Sequence, residues 1–300
     1  MAWRILDFGS FEGSLSYSRG QLKTVSKDSI TKVIPLAETA VIICGSKCSI
    51  STGLIQKLGT LGISMLVTDW RQVPTCALQS WSNHTRVGAR QLAQSRLSVP
   101  RAKHAWQQIV RSKVKGQAYV QLEMGHSDVA NQMLALARAV RSGDPQNIEA
   151  QAARLHWRNF ASNASFKRIP QATDSMNAML NYGYTILRGF ALRSVLAAGL
   201  WPGLGVFHHG RSNAFSLVDD IMEPFRPAVD HEVWLLPDEA NLASPDVKRR
   251  LAAVSENVFG KDGLTTATVM TQFTRDFGRY VEGDSPRLSV PFWSTPPNEQ

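Results

Sequence analysis

The sequence predicts an α+β protein with a β-rich, sandwich-like domain over residues 1–80, a larger all-α domain over 81–285 and a flexible tail over 286–300. Three observations carry that prediction. The first 80 residues alternate short apolar runs with Gly-bearing turns, which is strand punctuation. From about residue 82 the apolar positions recur three and four apart, which is helical spacing. The last 15 residues hold four prolines, which argues against regular structure. At 300 residues and 43% hydrophobic content the chain can fill two cores.

Taken in order, "WRILDF" and "GSLSYSRGQLKTV" read as strands, and Val41–Cys44 as a buried strand. Ser51 or Thr52 can cap a short helix, "GLIQKLGTLG", that Gly59 or Gly62 ends, and "ISMLVTD" returns as a strand. The helical part opens with "RVGARQLAQSRLS", which stops at Pro100, and continues with "RAKHAWQQIVRSKVKGQAYVQL". Next comes "SDVANQMLALARAVRSG", with Ser127 as N-cap and Gly143 past its end. Asp144 at the N-cap and Pro145 at the first helical position start the helix that holds Glu149. "TDSMNAMLNYGYTILRGFALRSVLAAGL" is a long helix that ends near Gly199. There is no internal repeat and no low-complexity tract.

The 33 Lys and Arg against 24 Asp and Glu give a net charge of +9, and the excess is localised. Residues 70–122 contain no acid but carry Arg71, Arg86, Arg90, Arg96, Arg101, Lys103, Arg111, Lys113 and Lys115. Such a block is either a solvated helical face or a surface for a polyanion, and its length and freedom from acids favour nucleic acid. Arg86, Arg90, Arg101, Lys103 and Arg111 are the candidate DNA contacts. No stretch is apolar enough to span a bilayer, and the N-terminus lacks the basic and apolar regions of a signal peptide. A cytoplasmic protein is expected, with no membrane partner. Cys44, Cys48 and Cys76 have no zinc-type ligand spacing and read as plain thiols.

Chemistry concentrates in "GVFHHGRSNAFSLVDDIMEPFRP", residues 205–227, which holds His208, His209, Asp219, Asp220 and Glu223. Asp220 and Glu223 lie one helical turn apart, and Asp219 with Glu223 offers the neighbouring face. Acids stacked on one turn destabilise it unless a cation compensates. Histidine with carboxylates suits manganese or magnesium, with zinc also open. The plainer reading is a polar turn leading into an ordinary helix. Pro224 should break the helix just after Glu223. Upstream, Glu149 shares a helical face with Ala152, Ala153 and His156, and the two alanines leave room beside a carboxylate; taken alone, Glu149 reads first as a surface acid near a helix N-terminus. Asn177, Asn181 and Tyr184 share a face that either braces a site or makes interhelical hydrogen bonds. No Ser or Cys nucleophile is paired with a base, and there is no phosphate-binding loop of the G-x-x-x-x-G-K-[ST] type.

These segments carry a resemblance. "GVFHHGRSNAFSLVDDIMEPFRP" is similar to the signature of the Cas1 family of CRISPR spacer-acquisition integrases: a Gly-x-x-His turn, a polar loop, then an Asp-x-x-Glu helix ending in "EPFRP" or "EEFRP". "DPQNIEAQAARLHW" resembles the family's Ile-Glu-x-x-Ala-Ala-Arg segment, and "NAMLNYGYTILRGFALRSVLAAGLWPGLG" its Asn-x-x-Leu-Asn-Tyr-Gly-Tyr helix. The N-terminal half fits more loosely, and the "EPFRP" form and compact length look closer to the type II branch. One departure is that His156 and Trp157 stand where the family has Tyr followed by Trp or Phe.

The resemblance implies that Glu149, His208 and Glu223 ligate Mg2+ or Mn2+, with Asp220 as a supporting or alternate ligand and His209 a neighbour. It implies an endonuclease and integrase that inserts short DNA by attack of a 3′-hydroxyl on a phosphodiester at a CRISPR repeat. It also implies a homodimer, two of which are bridged by the small Cas2 protein. Two rival functions are a metal-dependent phosphohydrolase for small nucleotides, and a DNA-binding scaffold without turnover.

Overall fold

The computed structural model describes residues 4–70, 74–78, 80, 84–161, 166–170, 172, 174–208 and 210–295. The chain forms two compact units, Met1–Thr85 and Arg86–Gln300, the first rich in strands and the second helical, an α+β architecture.

The first unit contains β1 (Arg4–Phe8), β2 (Gly13–Ser18), β3 (Gln21–Ser26), β4 (Thr31–Pro35), β5 (Thr39–Cys44), β6 (Cys48–Ile50), α1 (Thr52–Leu61), β7 (Ser64–Thr68) and β8 (Pro74–Leu78). They make two four-stranded sheets, ordered β1-β5-β7-β8 and β4-β3-β2-β6. All six residues of β5 are buried, as a central strand parallel to both neighbours requires. The β2–β3 hairpin turns on Arg19 and Gly20, which both take positive φ (47° and 85°) and thereby match the right-handed twist of the strands. Ser51 caps α1 by accepting the Leu54 N–H at 3.3 Å, and Gly62 ends it at φ 64°. Leu54 and Leu58 of α1 join Phe8, Ile42 and Met65 from one sheet and Leu15 and Leu22 from the other in a single apolar core. That shared core gives the unit its sandwich-like layering.

The second unit contains α2 (Val87–Ser95), α3 (Val99–Glu123), α4 (Ser127–Ala139), α5 (Ile148–Arg158), α6 (Ser175–Ala197), α7 (Ser216–Met222), a 3-10 turn (Glu223–Phe225), α8 (Arg226–Trp234), α9 (Pro245–Ala252) and α10 (Thr266–Glu282). Pro224 converts the helix after Met222 into that 3-10 turn, because a proline removes a backbone donor. No helix among the described residues is long and apolar enough to cross a membrane.

Three expectations are corrected. Asp144 is not the N-cap of α5: Asn147 is, in the left-handed conformation at φ 50°. Asp144 instead reaches forward, its two carboxylate oxygens accepting the N–H groups of Ile148 (2.9 Å) and Glu149 (3.0 Å). Ser127 is the first residue of α4 and does not cap it. The stretch expected as a flexible tail is packed as far as it is described. Leu288 and Trp293 are buried, Ser112 donates to the Val290 carbonyl at 2.9 Å and Phe292 stacks on Tyr119. Prolines there prevent regular structure, while apolar residues between them still bury surface against α3.

Candidate functional site

The site is built on three pieces of the helical unit: the middle of α3, the start of α5, and the segment from Gly205 to Arg226. Asp144 fixes the first turn of α5 and so the position of Glu149. Facing it from α3, Lys113 places its ammonium 2.6 Å from Glu149 Oε1 and 2.6 Å from Glu223 Oε2. The other oxygen of Glu223 accepts from Arg226 Nε at 2.8 Å. Burial alone would raise the Glu223 pKa, but Arg226 and Lys113 outweigh it and hold the carboxyl down to about 2. Burial likewise works against the charged Lys113, yet Glu223 and Glu149 leave its pKa raised. The sequence therefore brings Glu149 and Glu223 together on one cation, a lysine.

His208 is set by a different carboxylate. Asp220, fully buried, accepts backbone N–H groups from Val206 (2.6 Å), Phe207 (3.2 Å) and His208 (3.4 Å), and pairs with His208 Nδ1 at 2.6 Å. The loop wraps this carboxylate so tightly that a Cβ on Gly205 would lie 2.6 Å from the His208 carbonyl oxygen and 2.8 Å from Asp220 Oδ2. The Asp220 hydrogen bond raises the His208 pKa, and the Glu223 charge adds to the shift. With Nδ1 taken by Asp220, Nε2 is the ring nitrogen left to bind a ligand or metal. Trp106 supports the loop from α3, stacking on Phe207 at 4.2 Å and meeting the His208 ring edge-on at 5.5 Å.

The remaining candidates lie elsewhere. Asp219 turns to Arg188, whose Nε is 3.0 Å away, and to Asn213. Asn177 and Asn181 accept from Arg168 at 2.9 and 2.6 Å and hold the segment around Lys167 and Ala172 instead of bracing the carboxylates. Tyr184 is nearer the chemistry: it donates to buried Asp230, and its ring lies under the Arg226 guanidinium at 4.6 Å. His156 is fully buried, 3.2 Å from Asp230 Oδ2 and 3.2 Å from Gln121, among the rings of Trp157 and Phe160. It belongs to that polar network and not to the Glu149 pair. His209 lies outside the described residues.

Several cations of the acid-free block are engaged within the fold. Arg90 is buried and pairs with Glu282 at 2.6 and 3.0 Å while donating to the Ala198 carbonyl at 2.7 Å. Burial removes it from the candidate DNA contacts. Arg101 donates to the Tyr280 and Ser285 carbonyls and covers the Tyr280 ring, and Arg111 donates to the Val140 carbonyl. Arg86 and Lys103 are exposed, although Arg86 also reaches Glu282 at 3.0 Å. Lys113 and Arg226 pair with the candidate carboxylates and are the two partners that the sequence reading did not assign to the site. Arg226 was signalled by its place one turn after Glu223; Lys113 had no such signal, since both its partners are distant in sequence.

Among the described residues, no cluster of three or more His, Cys, Asp or Glu side chains stands at metal-holding distance. The donor types nevertheless fit a divalent cation. Two carboxylates converge on a position that already accommodates the positive charge of Lys113, and the imidazole of His208 is coupled electrostatically to one of them.

Residues 10–267 match the family model described as CRISPR associated protein Cas1. The CRISPR-associated endonuclease Cas1 of Neisseria meningitidis serogroup C (strain 8013) is 34% identical over 255 residues, covering 84% of this chain and 82% of that protein. The fold is shared with a casposase bound to its integration product, at TM-score 0.77 and 17% identity over 98% of this chain and 95% of that one. It is shared equally with a chain of a Cas6-RT-Cas1–Cas2 complex, at TM-score 0.77 and 18% identity over 98% of this chain and 36% of that one. With the family model matched across most of its length and the Neisseria relative aligned over 84% of it, this chain belongs to the Cas1 family.

Proposed function

We propose that this chain is a metal-dependent DNA endonuclease and integrase that joins short DNA fragments into a CRISPR array, with Glu149, His208 and Glu223 as ligands to Mg2+ or Mn2+. The observation that carries the reading is the convergence of Glu149, from α5, and Glu223, from the 3-10 turn, on one positive charge, with Glu223 in electrostatic contact with a histidine fixed by Asp220. Membership of the Cas1 family supports the same reaction class.

A bound divalent cation supplies charge neutralisation at the phosphate and lowers the pKa of the attacking hydroxyl. The chain's own residues prepare for that chemistry. Asp220 holds the His208 ring through Nδ1, and Arg226 fixes one oxygen of Glu223. Asp144 anchors the turn that carries Glu149. In the joining reaction the 3′-oxygen of the incoming DNA bonds to phosphorus as the bond from phosphorus to the target strand's 3′-oxygen breaks. The attacking hydroxyl loses its proton to solvent, and the leaving oxygen gains one. No side chain becomes covalently attached, and water in place of the hydroxyl gives hydrolysis. Arg86 and Lys103 are the proposed phosphate contacts, weakening with salt through counterion release. The proposed assembly is a homodimer acting with Cas2, the partner named in the complex that shares the fold.

The test is strand transfer of a short duplex with free 3′-hydroxyl ends into a supercoiled, repeat-bearing plasmid, with Cas2 supplied. Joining should require Mn2+ or Mg2+, stop with chelator and disappear in His208→Ala. Joining that survives His208→Ala refutes the ligand assignment. Absence of joining by the wild type, with DNA and Cas2 bound, supports the scaffold reading instead.

A further inference from the structure

Lys113 is held where a metal ion would have to go. Its ammonium lies 2.6 Å from one oxygen of Glu149 and 2.6 Å from one oxygen of Glu223, on a side chain only 12% exposed. A divalent ion ligated by both carboxylates would sit ~2.0–2.6 Å from each, so it and the ammonium contend for one small volume. Glu223 has little alternative to offer, because its second oxygen is engaged by Arg226. The backbone around Lys113 is anchored, with Ser112, Val114 and Gly116 all buried. What can give way is the flexible four-carbon stem.

We propose that Lys113 is a built-in counter-ion that competes with the divalent metal for Glu149 and Glu223, so that the metal enters by displacing the ammonium. The proposal rests on the reading of Glu149, His208 and Glu223 as the metal ligands and deepens it: the lysine sets how tightly that centre binds. The sign follows from charge. Without a cation, buried Glu223 and half-buried Glu149 repel each other and resist desolvation, and Lys113 answers both costs. Its removal takes away a competitor and a repelling positive charge together, so metal must bind more tightly. A lysine that acted only as a strut would, when removed, weaken the fold and leave metal affinity unchanged or reduced.

The experiment is a Mn2+ titration, read by the electron paramagnetic resonance of free Mn2+, on the wild type, Lys113→Met, Lys113→Arg and Glu223→Gln. Lys113→Met should bind about tenfold tighter or more than the wild type, since charges this close interact strongly even at protein dielectric. Lys113→Arg, which keeps the cation, should show no such gain, and Glu223→Gln should lose the site. Equal or weaker binding by Lys113→Met overturns the competition while leaving the metal centre standing. Saturable binding that is absent from both wild type and Lys113→Met, or that survives Glu223→Gln, refutes the centre itself and the competition with it. A second readout needs no folded Lys113→Met: the side-chain ammonium resonance of Lys113, assigned by its loss in Lys113→Arg, followed during Mg2+ addition. It should shift or vanish saturably as the ammonium is released; saturable Mg2+ binding with that resonance unmoved overturns the proposal.

Discussion

Replacing Arg90 with methionine separates a structural arginine from a DNA-binding one. In the wild type its guanidinium meets Glu282 at 2.6 and 3.0 Å and the Ala198 carbonyl at 2.7 Å, and the two charged side chains are only 8% and 5% exposed. Breaking a buried pair by removing one partner costs about 3–5 kcal/mol. Arg86 remains 3.0 Å from Glu282, which argues for the lower end of that range. The orphaned Ala198 carbonyl adds about 1 kcal/mol. The expected loss is therefore about 4 kcal/mol, which lowers the melting temperature of a helical unit this size by about 8–16 °C. Arg90→Met/Glu282→Gln should recover part of it, since the uncompensated carboxylate is then gone. The salt dependence of DNA binding, measured well below the transition, should be unchanged in Arg90→Met. In Lys103→Ala it should become shallower by about one unit of slope, with little loss of stability. A shift under about 2 °C in Arg90→Met, together with a shallower salt slope, would refute the reasoning.

The same structure makes two further predictions. Gly205→Ala drives a Cβ to within 2.6 Å of the His208 carbonyl oxygen and 2.8 Å of Asp220, so it should cost about 1–3 kcal/mol and depress strand transfer. Wild-type stability and activity in that variant would show that the Asp220 cradle is unnecessary. His231 of α8 packs its ring 4.7 Å from Trp293, and burial, only partly opposed by Glu232, holds its pKa below 6.5. The unfolded chain therefore binds the proton more readily, so the stability that the neutral ring contributes is complete above the ordinary value and is lost as pH falls below it. Thermal unfolding should lose stability more steeply from about pH 7 to about pH 5 in the wild type than in His231→Gln; parallel profiles would contradict this.

How much could be read from the sequence depended on how local each cause was. The Gly-bearing turn at Arg19-Gly20, the cap at Ser51 (one of two candidates beside Thr52) and the break beside Pro224, one residue earlier than expected, each follow from the residues at the spot. The start of α5 shows the limit even there. Asp144-Pro145 is a strong start signal, but the chain turns once more and caps at Asn147, because Asp144 can reach two N–H groups from outside the helix. Charge was harder to interpret. Residues 70–122 are acid-free, but Glu149, Glu223 and Glu282 come from far along the chain to meet Lys113 and Arg90. One-dimensional charge segregation thus concealed three-dimensional pairing. Glu149, His208 and Glu223 were nameable by resemblance, whereas the lysine between the two glutamates emerges only when α3 is packed against α5 and the Glu223 turn.

The proposed ligands Glu149, His208 and Glu223 would hold a divalent metal at the place where Lys113 now bridges the two carboxylates. Anomalous scattering from a crystal of the protein soaked in Mn2+ tests this placement most directly. The predicted result is one strong peak within ~2.0–2.6 Å of Glu149, Glu223 and His208 Nε2, with the Lys113 ammonium moved off both carboxylates. Strong manganese density elsewhere in the molecule, with Lys113 still between Glu149 and Glu223, would contradict it.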